Sequence, residues 1–236
     1  IHAANKFMRH EVFKGTSADH IGPISLGFVH DPRYLQPMQG NRNSSKRDRL
    51  SLEDLDKIIE VEKRTGVYPA SWYVKKVWEH IKDNYKAHPE KIETDYRDAM
   101  KQNMTNFMHL LYTIISYTGE TGKDLLADFF LAPNYQYFEY DYEFNNLGEI
   151  INQTSRHRTE RSKNDMERYK RVAINAVIEY VEKENRNLKP TISAQNMSLV
   201  KDIINQINNY SNPTLIKSKI IGVMDNIQDD IIKTIS

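Results

Sequence analysis

The chain has 236 residues, a formal net charge of +1, 39% hydrophobic and 28% charged residues, and no cysteine. That length allows one or two domains with a sizeable core. The missing thiols fit an intracellular (cytoplasmic) protein and exclude a disulfide scaffold, a thiol nucleophile and a thiolate-held zinc.

No apolar run approaches the roughly 18 residues of a membrane helix, and no signal-peptide pattern opens the chain. No membrane partner is therefore expected. The first residue is Ile rather than Met, so a piece of a longer polypeptide is expected. The near-neutral total hides an asymmetry. Residues 1–50 hold eight Lys/Arg against four acids, a local charge of +4, and the remainder carries −3. Most of the Gly-Pro punctuation also lies in those 50 residues, at Gly15, Gly22-Pro23, Gly27, Pro32, Pro37 and Gly40. The pattern there predicts a short strand ending in Asp19-His20, a Gly/Pro loop, and a second short strand with Leu35 and Met38. A turn at Gly40 then leads to a polar helix start at Asn43-Ser44-Ser45-Lys46.

From Ser51 onward the periodicity is helical. Ser51 with Glu53 and Asp54 is an N-cap signature ahead of Leu52, Leu55, Ile58 and Ile59. Pro69 is expected to open a second helix with Val74, Val77, Trp78, Ile81 and Tyr85 on one face. A long third helix carries Met100, Met104, Phe107, Met108, Leu111 and Ile115, and a short one spans 122–131. Three more are expected at about 160–186, 195–210 and 213–235, each matching the i, i+3, i+4, i+7 template. The methionine-rich face at 100–108 is core packing, because no cofactor signature accompanies it. One stretch breaks the pattern. Residues 135–144 alternate aromatic with polar side chains, which predicts an extended arm or hairpin. Its acids Glu139, Asp141 and Glu143, with no Lys or Arg between Ala132 and Ile150, make it a poor face for nucleic acid.

The segments from Ser17 to Phe28 and from Tyr34 to Lys46 carry the chemistry. A carboxylate and a carboxamide brought together hold a hard divalent cation such as Mg²⁺ through oxygen. A neutral histidine beside them takes a proton from water, and Lys or Arg on the next helical turn holds a phosphodiester. Those are the parts of metal-assisted phosphodiester hydrolysis.

Asp19-His20-Ile21-Gly22-Pro23, the strand Leu35-Gln36-Pro37-Met38 and Asn43-Ser44-Ser45-Lys46 together resemble the HNH (ββα-metal) nuclease motif. The loop from Ala18 to Phe28 is similar to the HNH domain of a group of bacterial type IIS restriction endonucleases. The resemblance covers about residues 15–50. It implies a mainly α-helical protein with a small ββα-metal module over residues 1–50. Residues 51–236 would brace that module and line a DNA groove. It further implies Mg²⁺-dependent cleavage of double-stranded DNA, with Mn²⁺ as a substitute. His20 would be the general base, Asp19 and Asn43 the metal ligands, and Lys46 would stand near the scissile phosphate. Arg47 and Arg49 would add positive charge there, as would Arg42. A double-strand break would need a second copy, as a homodimer or transient dimer, or a second binding event.

Two positions depart from the motif. Gln39 and Arg42 stand where many relatives place zinc-binding cysteines, so no structural zinc is expected. Tyr34 stands at the middle Asn, a residue that ties the loop together; Asn41 and His30 are candidate substitutes. His30 itself, in a His-Asp-Pro turn, reads as a loop residue without catalytic duty. His80, His88 and His109 lie in helical sequence and read as structural or surface residues, and His2 and His10 have no defensible partner spacing. A second basic stretch, residues 156–171, carries +4. It fits a solvated helix face with pairs such as Glu167–Arg171, and equally phosphate contact through Arg156, Arg158 and Arg161. Two further classes fit the same residues: a homing, toxin or phage-type HNH nuclease, and a non-catalytic helical DNA-binding or assembly module with a dead motif.

Overall fold

The computed structural model describes residues 14–41, 46, 48–131, 140–145, 150–155, 160–182 and 188–236. Among the described residues the chain is mainly helical with two small two-stranded sheets. It divides into two compact units, Ile1–Met100 with Tyr135–Arg158, and Lys101–Asn134 with Thr159–Ser236.

In the first unit, β1 (Ser17–His20) pairs antiparallel with β2 (Leu35–Met38). The register sets Asp19 opposite Gln36 and His20 opposite Leu35. Both expected strands are therefore present, and helical backbone is recorded at Gly40, Asn41 and Lys46. Pro37 is tolerated because in a two-stranded sheet every strand is an edge.

Two glycines seat the loop between these strands. At Gly22 an added Cβ would lie 2.4 Å from Phe28 Cγ, and at Gly27 (φ +96°) it would lie 2.7 Å from Val74 Cγ1. Their missing side chains let the backbone lie directly on the core. Phe28 is buried and meets Trp78 edge-to-face, with centroids 5.1 Å apart, a favoured aromatic geometry. Backbone bonds from Val29 N to Pro69 O (2.8 Å) and from Ser71 N to Gly27 O (2.9 Å) complete the seat.

Those bonds correct one expectation. Pro69 does not open the second helix. Residues 69–71 run extended beside Gly27–Val29, with Phe28 bridged to Ala70. A 3₁₀ turn at Trp72–Val74 follows, and α2 begins only at Lys75 (Lys75–Asn84). The expected face is there, with Val74, Val77, Trp78, Ile81 and Tyr85 all buried.

Helix α1 (Leu52–Thr65) starts where the sequence puts it. Ser51 and Asp54 form a reciprocal capping box, and Gly66 (φ +70°) closes the helix in the left-handed region. Such caps are typically worth about 1 kcal/mol each. Leu55, Ile58 and Val61 face the core. The long helix α3 (Arg97–Leu126) is broken at Gly119, whose φ of 59° and ψ of −138° are not helical. That break separates the two helices expected at 100–115 and 122–131. The expected hairpin is β3 (Tyr140–Phe144) paired with β4 (Ile150–Ser155), with a register shift between Glu143 and Phe144. Residues 135–139 lie outside the described residues, and β4 had no signal of its own in the sequence.

In the second unit α4 (Glu160–Glu182), α5 (Ala194–Asn208) and α6 (Pro213–Ile232) bury Val177, Val200, Ile203, Ile207, Ile220, Met224 and Ile231 of the periodic positions foreseen for them, whereas Tyr169, Ala176 and Leu199 are exposed. Ser193 and Asn212 cap α5 and α6. Asn106 accepts from Thr191 N (2.8 Å) and donates to Thr191 Oγ1 (3.0 Å), anchoring the strand of chain that enters α5. Among the described residues no helix is long and apolar enough to cross a membrane.

Candidate active site

Asp19 and His20 close β1, and their surroundings explain how a carboxylate is kept in a site only 7% exposed. Across the sheet, Gln36 Nε2 donates to Asp19 Oδ2 (2.9 Å). Lys46 Nζ donates to the same oxygen (2.8 Å). Among the described residues both of these bonds gather on Oδ2. Lys57 Nζ reaches Gln36 Oε1 at 3.4 Å and orients the amide from behind.

Lys46 is not on the surface. Its ammonium also donates to the carbonyls of His20 (3.1 Å) and Ile21 (2.9 Å) and pairs with Asp54 Oδ1 (3.2 Å). Its side chain is 10% exposed. Four oxygens surround an ammonium with three protons, so every proton has an acceptor and the fourth oxygen is reached by charge or by a shared bond. The sequence placed Lys46 near a phosphate; in this structure it is an internal cation binding β1 to the start of α1. Asp54 is shared, because its Oδ2 accepts from Ser51 N (3.1 Å) and Ser51 Oγ (3.0 Å) while Oδ1 faces Lys46.

His20 stands beside this cluster and meets His30. Its Nε2 lies 2.5 Å from His30 Nδ1, with ring centroids 4.8 Å apart. Burial, followed by the neighbouring His30, lowers the His20 pKa to about 4, against an opposing pull from Asp19. Burial likewise lowers His30. Both imidazoles are therefore neutral at physiological pH, the form that accepts a proton. Sequence reasoning had left His30 in the loop. It had also missed Gln36 and Asp54, although cross-strand register predicts a side-chain partner for Asp19 at Gln36.

Tyr34, at the motif's middle Asn, does tie the loop, but by its own route. It is buried, and its hydroxyl donates to the Val67 carbonyl, joining β2 to the segment after α1. Its phenol pKa is raised, chiefly by burial, so it remains a donor. Ile21 N donates to Tyr34 O (2.9 Å) and closes the loop on the other side.

Of the other expected residues, Asn43, Arg42 and Arg47 lie outside the described residues, as do Arg156 and Arg158. Arg161 lies in α4, but its side chain is outside the described ones. Arg49 is exposed. Farther along α4, Lys170 pairs with Asp128 (2.7 Å) and Glu167 (3.3 Å), while Arg168 and Arg171 are exposed.

Asp19 itself offers carboxylate oxygen, a hard donor of the kind Mg²⁺ takes, and the chain has no thiolate. Among the described residues no group of three His, Cys, Asp or Glu comes together.

No curated protein and no solved structure matches the chain. Residues 7–235 match the sequence profile of a family described as type II restriction endonuclease (RE_Alw26IDE). A match over nearly the whole chain shows that the protein belongs to the RE_Alw26IDE family of type II restriction endonucleases, enzymes that cleave DNA.

Proposed function

We propose that the chain hydrolyses double-stranded DNA at an HNH (ββα-metal) centre on residues 15–50, as the cutting portion of a type IIS enzyme. The observation that carries this reading is the pair closing β1. Asp19 has Oδ2 fixed by Gln36 and Lys46, and the neutral imidazole of His20 follows it.

In this reading His20 takes a proton from the attacking water and so makes it a better nucleophile. Asp19, with Asn43, would hold Mg²⁺ or Mn²⁺, and such an ion stabilises charge building on the phosphoryl and leaving oxygens. Lys46 keeps the Asp19 carboxylate aimed and holds part of its charge. Arg49, with Arg42 and Arg47, meets the DNA backbone, and the 156–171 stretch adds phosphate contacts. One centre cuts one strand, so a double-strand break requires a second copy or a second binding event.

The test is cleavage of a long double-stranded DNA with Mg²⁺ or Mn²⁺. Discrete fragments are expected, with loss of all cutting in EDTA. His20→Ala should lower the rate by about 10²-fold or more while DNA binding persists. Undiminished cutting in EDTA or by His20→Ala would refute the mechanism, and a smear would replace the restriction reading with a nonspecific HNH nuclease.

A further inference from the structure

We propose that His30 is a positioning residue that accepts a hydrogen bond from His20 Nε2, so that His20 acts through Nδ1. The inference rests on the nuclease reading above. His30 lies ten positions after the motif histidine, and a nitrogen of each ring faces the other.

At 2.5 Å, His20 Nε2 and His30 Nδ1 hold one proton between them. Two arrangements are open to a neutral pair. In the first, His20 Nε2–H donates to the His30 Nδ1 lone pair, and His20 keeps a free lone pair on Nδ1. In the second, His30 Nδ1–H donates to His20 Nε2. The single proton of His20 then sits on Nδ1, and no lone pair remains for water. Only the first leaves His20 a base. In that arrangement His30 carries its own proton on Nε2.

The loop delivers His30 with little freedom. Val29 N is bonded to Pro69 O (2.8 Å), so the backbone on its N-terminal side is pinned to the core. On its C-terminal side Asp31 accepts from Arg33 N (2.9 Å) and Arg33 Nη1 (3.0 Å), and Pro32 opens a 3₁₀ turn. The ring is thus aimed by bonds on both flanks while remaining exposed itself. A base oriented by a third group is the general arrangement of nucleophile activation.

Water gives one proton to His20 Nδ1, and its oxygen forms the new bond to phosphorus. His20 becomes an imidazolium whose Nε2–H still points at His30. The P–O3′ bond breaks, O3′ keeps the electron pair and takes a proton from solvent, and His20 returns its proton to solvent.

The experiment combines ¹⁵N-histidine NMR with steady-state cleavage, using the whole chain. Above pH 7, long-range ¹H–¹⁵N spectra should show His20 protonated at Nε2 and bare at Nδ1, with a hydrogen-bonded Nε2–H resolved downfield. His30→Ala and His30→Leu should lose that downfield proton. Their kcat should fall about tenfold or more with KM unchanged, since only the base loses its partner. His30→Asn should restore both signals in large part, because its amide oxygen can accept the same bond. A wild-type His20 protonated at Nδ1 would overturn the pairing, even if a variant failed to fold. Wild-type kcat in His30→Ala and His30→Leu would overturn the positioning role. A wild-type chain inactive with both Mg²⁺ and Mn²⁺ would instead overturn the nuclease reading, and the catalytic role of His30 with it.

Discussion

Replacing Lys46 by Met separates an internal cation from a phosphate contact. Methionine keeps the length and apolar stem of lysine and removes the ammonium. In the wild type that ammonium serves Asp19, Asp54 and two backbone carbonyls, with side-chain exposures of 9–12% at all three ionisable partners. Breaking a buried pair by removing one member typically costs about 3–5 kcal/mol. The low end applies here, because Asp19 keeps its bond from Gln36 and Asp54 keeps its bonds from Ser51. At roughly 2–4 °C per kcal/mol for a chain of this size, a loss of about 3 kcal/mol lowers Tm by about 6–12 °C. The assay is thermal and urea unfolding of wild type, Lys46→Met, Asp54→Asn and the double variant. The cycle should show a coupling of about 1 kcal/mol or more, since the double variant leaves one fewer carboxylate unpaired. A lysine that serves only a phosphate gives a different result: Tm within about 2 °C of wild type, additive variants, and a loss confined to the cleavage rate at saturating DNA. That outcome would refute the internal-cation argument.

Gly22→Ala should destabilise the first unit by about 1–3 kcal/mol, because its Cβ would enter the Phe28 ring and overpack a filled core; urea unfolding reads this, and an unchanged midpoint would count against the packing described. Stability should fall as pH drops from about 6.5 towards 4. In that window the unfolded His20 binds a proton and the folded one does not, and the lowered His30 acts in the same direction, so stability rises with pH; His20→Gln should flatten the slope of Tm against pH, and an unaltered slope would remove His20 as its source. Removing charges at Arg42, Arg47 and Arg49, or at Arg156, Arg158 and Arg161, should make the slope of log affinity against log salt shallower by roughly one unit per lost phosphate contact. An unchanged slope for the second set would leave residues 156–171 as a solvated helix face. Asp19→Ala should lower Mn²⁺ affinity in calorimetry more than Asn43→Ala, because the carboxylate supplies the charge; equal losses would argue against that ranking.

The helices and the β1–β2 ladder were legible because they are written in local patterns. Ser51 and Asp54 announce α1 three residues apart, and Leu55, Ile58 and Val61 show its face. Partnerships across the fold were not legible in the same way. The extended path of residues 69–71 is set by Gly27 and Val29, some forty residues earlier in the chain. A proline preceding a helical pattern looks the same whether or not a distant backbone is waiting to pair with it. His30 met His20 only because the loop is pinned at Val29 and turned at Asp31, and nothing in the His-Asp-Pro triplet encodes the direction of the ring. Lys46 was assigned outward from its place one turn after Asn43. The two buried carboxylates that draw it inward come from β1 and α1, and sequence spacing does not report their convergence.

Asp54 belongs at once to the first turn of α1 and to the oxygen shell around Lys46. Helix ends fray, and fraying of this one cannot be silent. When the first turn of α1 opens, the carboxylate leaves Lys46, and the ammonium loses one of the contacts that hold it against Asp19. Opening of the helix start and loosening of the Asp19 carboxylate are then one cooperative event. The amides of the first turn of α1 and the Lys46 ammonium should exchange hydrogen at a shared opening free energy. A substrate or ion that tightens Asp19 should slow exchange at Asp54 and Leu55, two residues that never touch it.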